Sequence, residues 1–228
     1  MSSPIKIKAR VNEIISQGEE IYTIRLGVPC RATRFKAGQF LHLTLDEFDP
    51  SEGYWPESRV FSIASKPGCD FLEIVYSVKG QYTSRMSKEL FIGREVWVKL
   101  PYGDFIVNNY LKNKDEVVLI AGGTGISPFI PFILEREEKI SQIPLTIYYG
   151  IRNKEHFLYH NVIENARKFA YVNVIEGFFD IDKISNSLLE KQNVVCFISG
   201  PPTMIKLFKK NLSEKGFPNE FIVIDAWE

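Results

Sequence analysis

The chain reads as two domains of different class. An N-terminal six-stranded antiparallel β-barrel is expected over residues 1–108, and a C-terminal doubly wound parallel five-stranded sheet over residues 115–228. Three observations predict this. The first half holds short runs rich in β-branched and aromatic residues, separated by turn clusters. From residue 115 onward, apolar strands alternate with helical stretches in a βαβ rhythm. Between them, Val-Val-Leu-Ile-Ala-Gly-Gly-Thr-Gly-Ile-Ser-Pro at 117–128 carries a continuous apolar strand into a glycine loop and a helix start.

The barrel strands are expected at Ile5–Ile15, Ile21–Val28, Gln39–Leu45, Arg59–Ser65, Phe71–Val78 and Glu95–Leu100. Alternation is clear in Phe40-Leu41-His42-Leu43-Thr44-Leu45 and in Val96-Trp97-Val98-Lys99-Leu100. Asp49-Pro50-Ser51-Glu52-Gly53 and Lys66-Pro67-Gly68-Cys69-Asp70 read as turns. Short strands connected this way favour a small antiparallel barrel. One short helix is expected at Thr83–Leu90, and the polar stretch Asn108–Asp115 reads as the boundary.

In the second half, strands are expected at Val117–Ala121, Leu145–Tyr149, Val172–Ile175, Val194–Ile198 and Phe221–Ile224. Helices are expected near Pro128–Ile140, Glu155–Phe169, Asp182–Lys191 and Pro202–Lys215. Ser127 and Pro128 suit the N-cap and first position of the first helix, although Pro131 costs it hydrogen bonds and can delay its start. Asp180 or Asp182 can cap the third helix, Pro202 can open the fourth, and Gly216 stops it.

Bulk composition narrows the partners. At 45% apolar and 25% charged, the chain has an ordinary globular composition. Lys+Arg and Asp+Glu balance at 28 each, evenly between the halves, so neither nucleic acid nor a polybasic membrane patch is indicated. No apolar run approaches the ~20 residues of a membrane span, and the start is no secretory signal, so membrane insertion is not expected. Cys30, Cys69 and Cys196 are far apart and form no C-x-x-C pair, which speaks against a built-in iron–sulfur cluster or zinc site and for a reducing cytoplasm. His156 and His160 are four apart but lack the glutamate of a zincin motif, and read as a solvated helix face. No metal site is expected.

Glycine loops at the start of a helix aim backbone N–H groups at an anion, normally a phosphate. Gly122, Gly123 and Gly125 let the backbone turn tightly and approach a ligand. No Gly-Lys-Ser/Thr follows, so this is not a Walker P-loop, nor does it match G-x-G-x-x-G.

Seven short motifs fall in a fixed order. The first half carries Ala37-Gly38-Gln39-Phe40, Arg59-Val60-Phe61-Ser62, Gly80-Gln81-Tyr82-Thr83-Ser84 and Pro101-Tyr102-Gly103-Asp104-Phe105. The second carries Gly122–Pro128, Tyr149-Gly150-Ile151-Arg152 and Ser199-Gly200-Pro201-Pro202. This order resembles the ferredoxin–NADP reductase superfamily over essentially the whole chain, without a fused iron–sulfur domain. The resemblance implies a flavin barrel, a pyridine-nucleotide domain, and hydride transfer between nicotinamide C4 and flavin N5 in the crevice between them.

The resemblance also assigns residues. Arg59, with its fixed charged fork, suits a flavin phosphate or diphosphate, or else a surface ion pair. Phe61 stands where relatives more often carry Tyr; it stacks on the flavin or packs in the core. Val60 lies between them, and Ser62 matches a serine near flavin N5 or O4. Gly80, Tyr82, Thr83 and Ser84 open the short helix, whose positive end can hold phosphate, although Thr83 and Ser84 are also good caps. Two anion-holding features favour FAD over FMN. Gly123, Thr124 and Gly125 face the nucleotide, as do Gly200, Pro201 and Pro202, with Ser199 where many relatives have a cysteine near the nicotinamide.

Arg152 faces the adenosine side and would suit NADPH, but Phe178, Phe179 and Asp180 bring no cation where other relatives bind that phosphate; the balance leans to NADH. Asp225-Ala226-Trp227 resembles a plant-type ending in which a carboxylate lies near the flavin and an aromatic covers it, so Trp227 is expected as a lid or as a packed terminal residue.

Together these imply a flavin-dependent NAD(P)H oxidoreductase with Ser62, Ser199, Asp225 and Trp227 at the reacting centre. The acceptor would be a separate ferredoxin, flavodoxin, haem protein or oxygenase component. Two alternatives stay open: a reductase using flavin as a diffusing substrate, which would lose it on dialysis, and a flavin-holding electron-transfer subunit of a larger complex, which would not turn over NAD(P)H with ferricyanide alone.

Overall fold

The computed structural model describes residues 4–138 and 143–225. The chain divides into two units, Met1–Asp104 and Phe105–Glu228.

The first unit is a six-stranded antiparallel sheet rolled into a nearly closed barrel. Its strands are β1 (Ile5–Ser16), β2 (Ile21–Gly27), β3 (Phe40–Thr44), β4 (Arg59–Ser62), β5 (Phe71–Ser77) and β6 (Glu95–Tyr102), in the order β4-β3-β6-β1-β2-β5. Alternate residues point inward, as period-two patterning requires. Ile7, Ala9 and Val11 of β1 meet Ile24, Leu26, Leu41, Leu43, Leu72, Ile74, Val96 and Val98 in one core. Beyond β4 the chain leaves one edge for the other: Ile63 N–H donates to the Gln39 carbonyl and Ala64 N–H to the Glu73 carbonyl. Helix α1 (Gln81–Glu89) sends Tyr82 and Met86 into that core.

The second unit is a five-stranded parallel sheet in the order β11-β10-β7-β8-β9. Its strands are β7 (Glu116–Gly122), β8 (Leu145–Ile151), β9 (Tyr171–Glu176), β10 (Val194–Ser199) and β11 (Ile222–Ile224). The helices between them are α2 (Ile130–Glu138), α3 (His160–Ala166), α4 (Ile181–Leu189) and α5 (Pro202–Glu214). β8 and β10 are buried along their whole length, as strands covered on both faces must be. The order reverses between β7 and β10, and ligands of open α/β sheets bind at such a switch point, beyond the carboxyl ends of the strands.

Four features differ from the sequence reading. The division between units falls after Asp104 rather than in Asn108–Asp115, because Phe105 packs on Phe129 and Phe197 within the second unit. Ser127 is not an N-cap: residues Gly123–Phe129 form a 3-10 run capped by Gly122, and α geometry begins at Ile130. Pro128 and Pro131 cause this. Lacking N–H groups, they cannot give Thr124 and Ser127 the i→i+4 bond, and the Ser127 carbonyl instead accepts from Ile130 N–H.

The third difference is that His156 and His160 do not share a helix. Asn153 caps a 3-10 turn at Lys154–His156, Tyr159 sits in the left-handed region at φ 55°, and α3 starts only at His160; His156 is buried. Finally, α1 begins at Gln81, so Thr83 lies inside its first turn. The cap at Asp180, which accepts from Lys183 N–H at 3.0 Å, and Pro202 as the opening residue of α5 stand as expected.

Among the described residues, no helix is long and apolar enough to cross a membrane, and no group of three or more His, Cys, Asp or Glu is placed to hold a metal.

Candidate functional sites of the two units

In the barrel, four motifs converge. Phe40 pairs with Ser62 across β3 and β4, and stacks on Tyr102 at 5.8 Å. Gln39 Nε2 donates to the Gly103 carbonyl at 3.2 Å. A Cβ on Gly103 would stand 2.6 Å from the Phe40 ring, so this position requires glycine. Tyr82 donates its phenol hydrogen to the Leu43 carbonyl at 2.7 Å, tying α1 to β3. Its burial pushes the phenol up to about 12, so it remains a donor.

Arg59 projects its guanidinium over the Tyr82 ring at 4.9 Å. Two features read separately from the sequence, a cation and the start of α1, therefore occupy one patch. Arg59 also pairs with Glu57 at 2.9 Å, an exposed ion pair that adds little to stability. Gly80 is extended at the N-cap and has open space where a Cβ would stand. Thr83 Oγ1 accepts from the N–H groups of Lys79 at 2.9 Å and Gly80 at 3.1 Å, so this hydroxyl caps the helix. The N–H groups of Gln81, Tyr82 and Thr83 have no carbonyl one turn back, the kind of set that can receive an anion. This set fits a diphosphate. Val60 and Ser62 are half-buried on the same strand. Phe61 is 9% exposed and lies edge-on to Tyr76 at 6.4 Å, packed in the barrel core.

In the second unit, the glycine loop and the β10–α5 turn press on each other. A Cβ on Gly125 would stand 2.5 Å from backbone atoms of Ser199 and Gly200. One on Gly122 would stand 2.7 Å from Met204 Sδ, and one on Gly200 2.8 Å from Met204 Cε. These three are glycines because protein approaches them. Gly123 differs: it has open space around it and φ +54°, so its absent side chain serves the backbone turn and leaves room for a ligand. Thr124 is half-buried beside it. Pro201 and Pro202 are exposed at the start of α5.

Ser199 closes β10 and donates to Asp225 at 2.8 Å; both are buried. No local pattern signals this pairing, which joins residues 26 apart. Cys196 is buried in β10, and burial pushes its thiol well up, leaving it protonated and unreactive. Arg152 is exposed after β8, and Phe178 is fully exposed after β9, while Phe179 packs under Gly150. Trp227 lies outside the described residues, as do Ala226 and Glu228.

Residues 119–210 match the oxidoreductase NAD-binding domain family. The chain is 24% identical to the flavohemoprotein of Bacillus subtilis, over 82% of this chain and 50% of that protein. It is 24% identical to the reductase component of propane 2-monooxygenase from Rhodococcus jostii, over 97% of this chain and 63% of the relative. The chain thus spans about half to two thirds of these two relatives. A ferredoxin NADP+ reductase of Neisseria gonorrhoeae, solved with bound FAD and NADP, superposes with a TM-score of 0.79 at 17% identity, covering 96% of this chain and 98% of that one. The chain thus carries a segment matching an oxidoreductase NAD-binding domain, within the two-unit fold of the ferredoxin–NADP reductases.

Proposed function

We propose that the chain takes hydride from a reduced nicotinamide dinucleotide onto FAD and passes the electrons to a separate one-electron carrier, such as a ferredoxin, flavodoxin, haem protein or oxygenase component. The observation that carries this is the stacking of Arg59 on Tyr82 at the start of α1 in the first unit, together with an anion-receptive turn at Gly123–Gly125 in the matched NAD-binding segment of the second. Arg59 and the first-turn N–H groups of α1 hold the flavin's diphosphate, which supports FAD over FMN. Ser62 hydrogen-bonds the flavin edge. Gly123, Thr124 and Gly125 hold the dinucleotide's phosphates, and Gly200 with the prolines shapes the nicotinamide side. Ser199, oriented by Asp225, meets the carboxamide. FAD, when bound, supplies the ability to accept electrons in pairs and release them singly.

The acceptor is drawn from chemistry and from the relative named as an oxygenase reductase component. Phe61 favours a second reading. Its ring is packed on Tyr76 and offers a flat ligand little face, as suits a flavin that exchanges freely.

The test is the visible spectrum of purified protein before and after dialysis, then rapid-mixing reduction with NADH and NADPH. Retained yellow colour and fast bleaching support the first reading. Colour lost on dialysis, with turnover restored by added flavin, supports the second. A protein that gains no colour with FAD or FMN overturns both.

A further inference from the structure

The carbonyl groups of the glycine loop are held from behind. Tyr149, fully buried in β8, donates its phenol hydrogen to the Gly123 carbonyl at 3.2 Å. Ser127, also buried, donates to the Thr124 carbonyl at 2.8 Å. A trans peptide is planar, with its C=O and N–H on opposite edges. A carbonyl pinned toward the interior therefore turns the next N–H away from it. The Gly123–Thr124 peptide thereby presents Thr124 N–H, and the Ser127 bond holds the adjacent Thr124–Gly125 peptide in the same 3-10 turn. The two hydroxyls add to the 3-10 bonds of this run in holding its peptides against a flip that would offer a carbonyl instead, at a glycine with φ +54° and open space around it.

We propose that Tyr149, with Ser127, is a positioning residue that fixes which edge of the glycine loop meets the dinucleotide's diphosphate. It touches neither cofactor nor substrate. The inference rests on the nucleotide-binding reading above. Burial, partly opposed by the Leu158 backbone, pushes the Tyr149 phenol well above its ordinary range, so it stays a donor at every working pH. Its ring packs edge-on to Phe157 at 5.7 Å, and a phenylalanine at 149 would fill the same space. Only the oxygen is then removed.

The test compares Tyr149→Phe and Ser127→Ala with the parent full-length chain. Affinity for ADP and for adenosine is measured by NMR titration, and steady-state NADH oxidation is followed with ferricyanide. The expected result is an ADP affinity about five- to tenfold weaker, the size of one lost neutral hydrogen bond. Adenosine affinity and kcat should be unchanged while KM rises. Unchanged ADP affinity in both variants would show that the hydroxyls only pack. Equal losses for ADP and adenosine would show general loosening and overturn the positioning role. Should Tyr149→Phe not fold, Ser127→Ala carries the same test on the adjacent peptide. A parent chain that binds neither ADP nor adenosine would remove the nucleotide-binding reading itself, a failure distinct from the others.

Discussion

Ser199 Oγ donates to Asp225 Oδ2 at 2.8 Å, closing the end of β10 onto the residue that follows β11. Asp225 N–H reinforces the junction by donating to the Ile198 carbonyl at 2.9 Å. A buried carboxylate loses more from a missing donor than a neutral acceptor does. Ser199→Ala should therefore lower unfolding free energy by about 2 kcal/mol in urea titrations. Asp225→Asn keeps an acceptor in place and should cost less. Equal stability of Ser199→Ala and the parent would show the bond to be incidental.

The glycines separate by cause, and so should their alanine variants. Gly125→Ala drives a Cβ into the backbone at Ser199–Gly200, which cannot yield as a side chain end can. It should destabilise by about 3 kcal/mol, at the upper end of overpacking. Gly123→Ala meets no atoms but places an L-residue at φ +54°, costing about 1–2 kcal/mol. Thermal unfolding gives the first comparison. Nucleotide titration should show that the milder variant, Gly123→Ala, still loses most of its affinity.

Arg59 should matter to flavin and not to folding. Arg59→Ala removes an exposed ion pair and the guanidinium's contact with the Tyr82 ring, and should shift unfolding free energy by less than about 1 kcal/mol. Flavin retained through gel filtration should fall sharply. Arg59→Lys should not restore it, since an ammonium lacks the planar fork. Full retention in both variants would move the phosphate site elsewhere.

His42 predicts an acid-side loss of stability. Desolvation, then the Lys99 charge, holds its imidazole below the ordinary 6.5. Below pH 6.5 the unfolded chain binds a proton that the folded chain refuses. Stability therefore falls as pH drops from 6.5 toward the folded value, and is constant with respect to this group below that. His42→Gln should flatten that part of the stability profile. The carboxylate Asp46, held down chiefly by its hydrogen bond from Arg85, weakens the fold at more acid pH, below 3.8, so the two windows are separable.

Nucleotide choice should follow the loop after β9. Phe178 is fully exposed there, Asp180 caps α4, and no Lys or Arg stands between Gly177 and Asp180. NADH should reduce the protein with a KM at least about tenfold below that of NADPH, the effect of one missing charge-assisted bond. Phe178→Arg should narrow the gap, as measured by paired KM values.

Much of this fold was legible because strands and helices obey local periodicity. The apolar run at Val117–Ala121 and the alternation in Phe40–Leu45 each depend on adjacent residues. Misreadings arose where one position had two local uses. Ser127 looks like a helix cap, but Pro128 and Pro131 withhold two N–H groups and make its turn 3-10. Asn153 caps a separate turn, which buries His156 and breaks the helix expected around it. Contacts between distant residues left no trace at all. Nothing in the spacing of Arg59 and Tyr82, Ser199 and Asp225, or Tyr149 and Gly123 announces that they meet.

The contact between Gly125 and the Ser199–Gly200 backbone has a genetic consequence. At Gly125 the two loops meet main chain to main chain, so at that point there is no side chain to trim. A bulky substitution on one loop has no small-for-large partner on the other. Selection for suppressors of such a defect should recover the original glycine, not a compensating change opposite it.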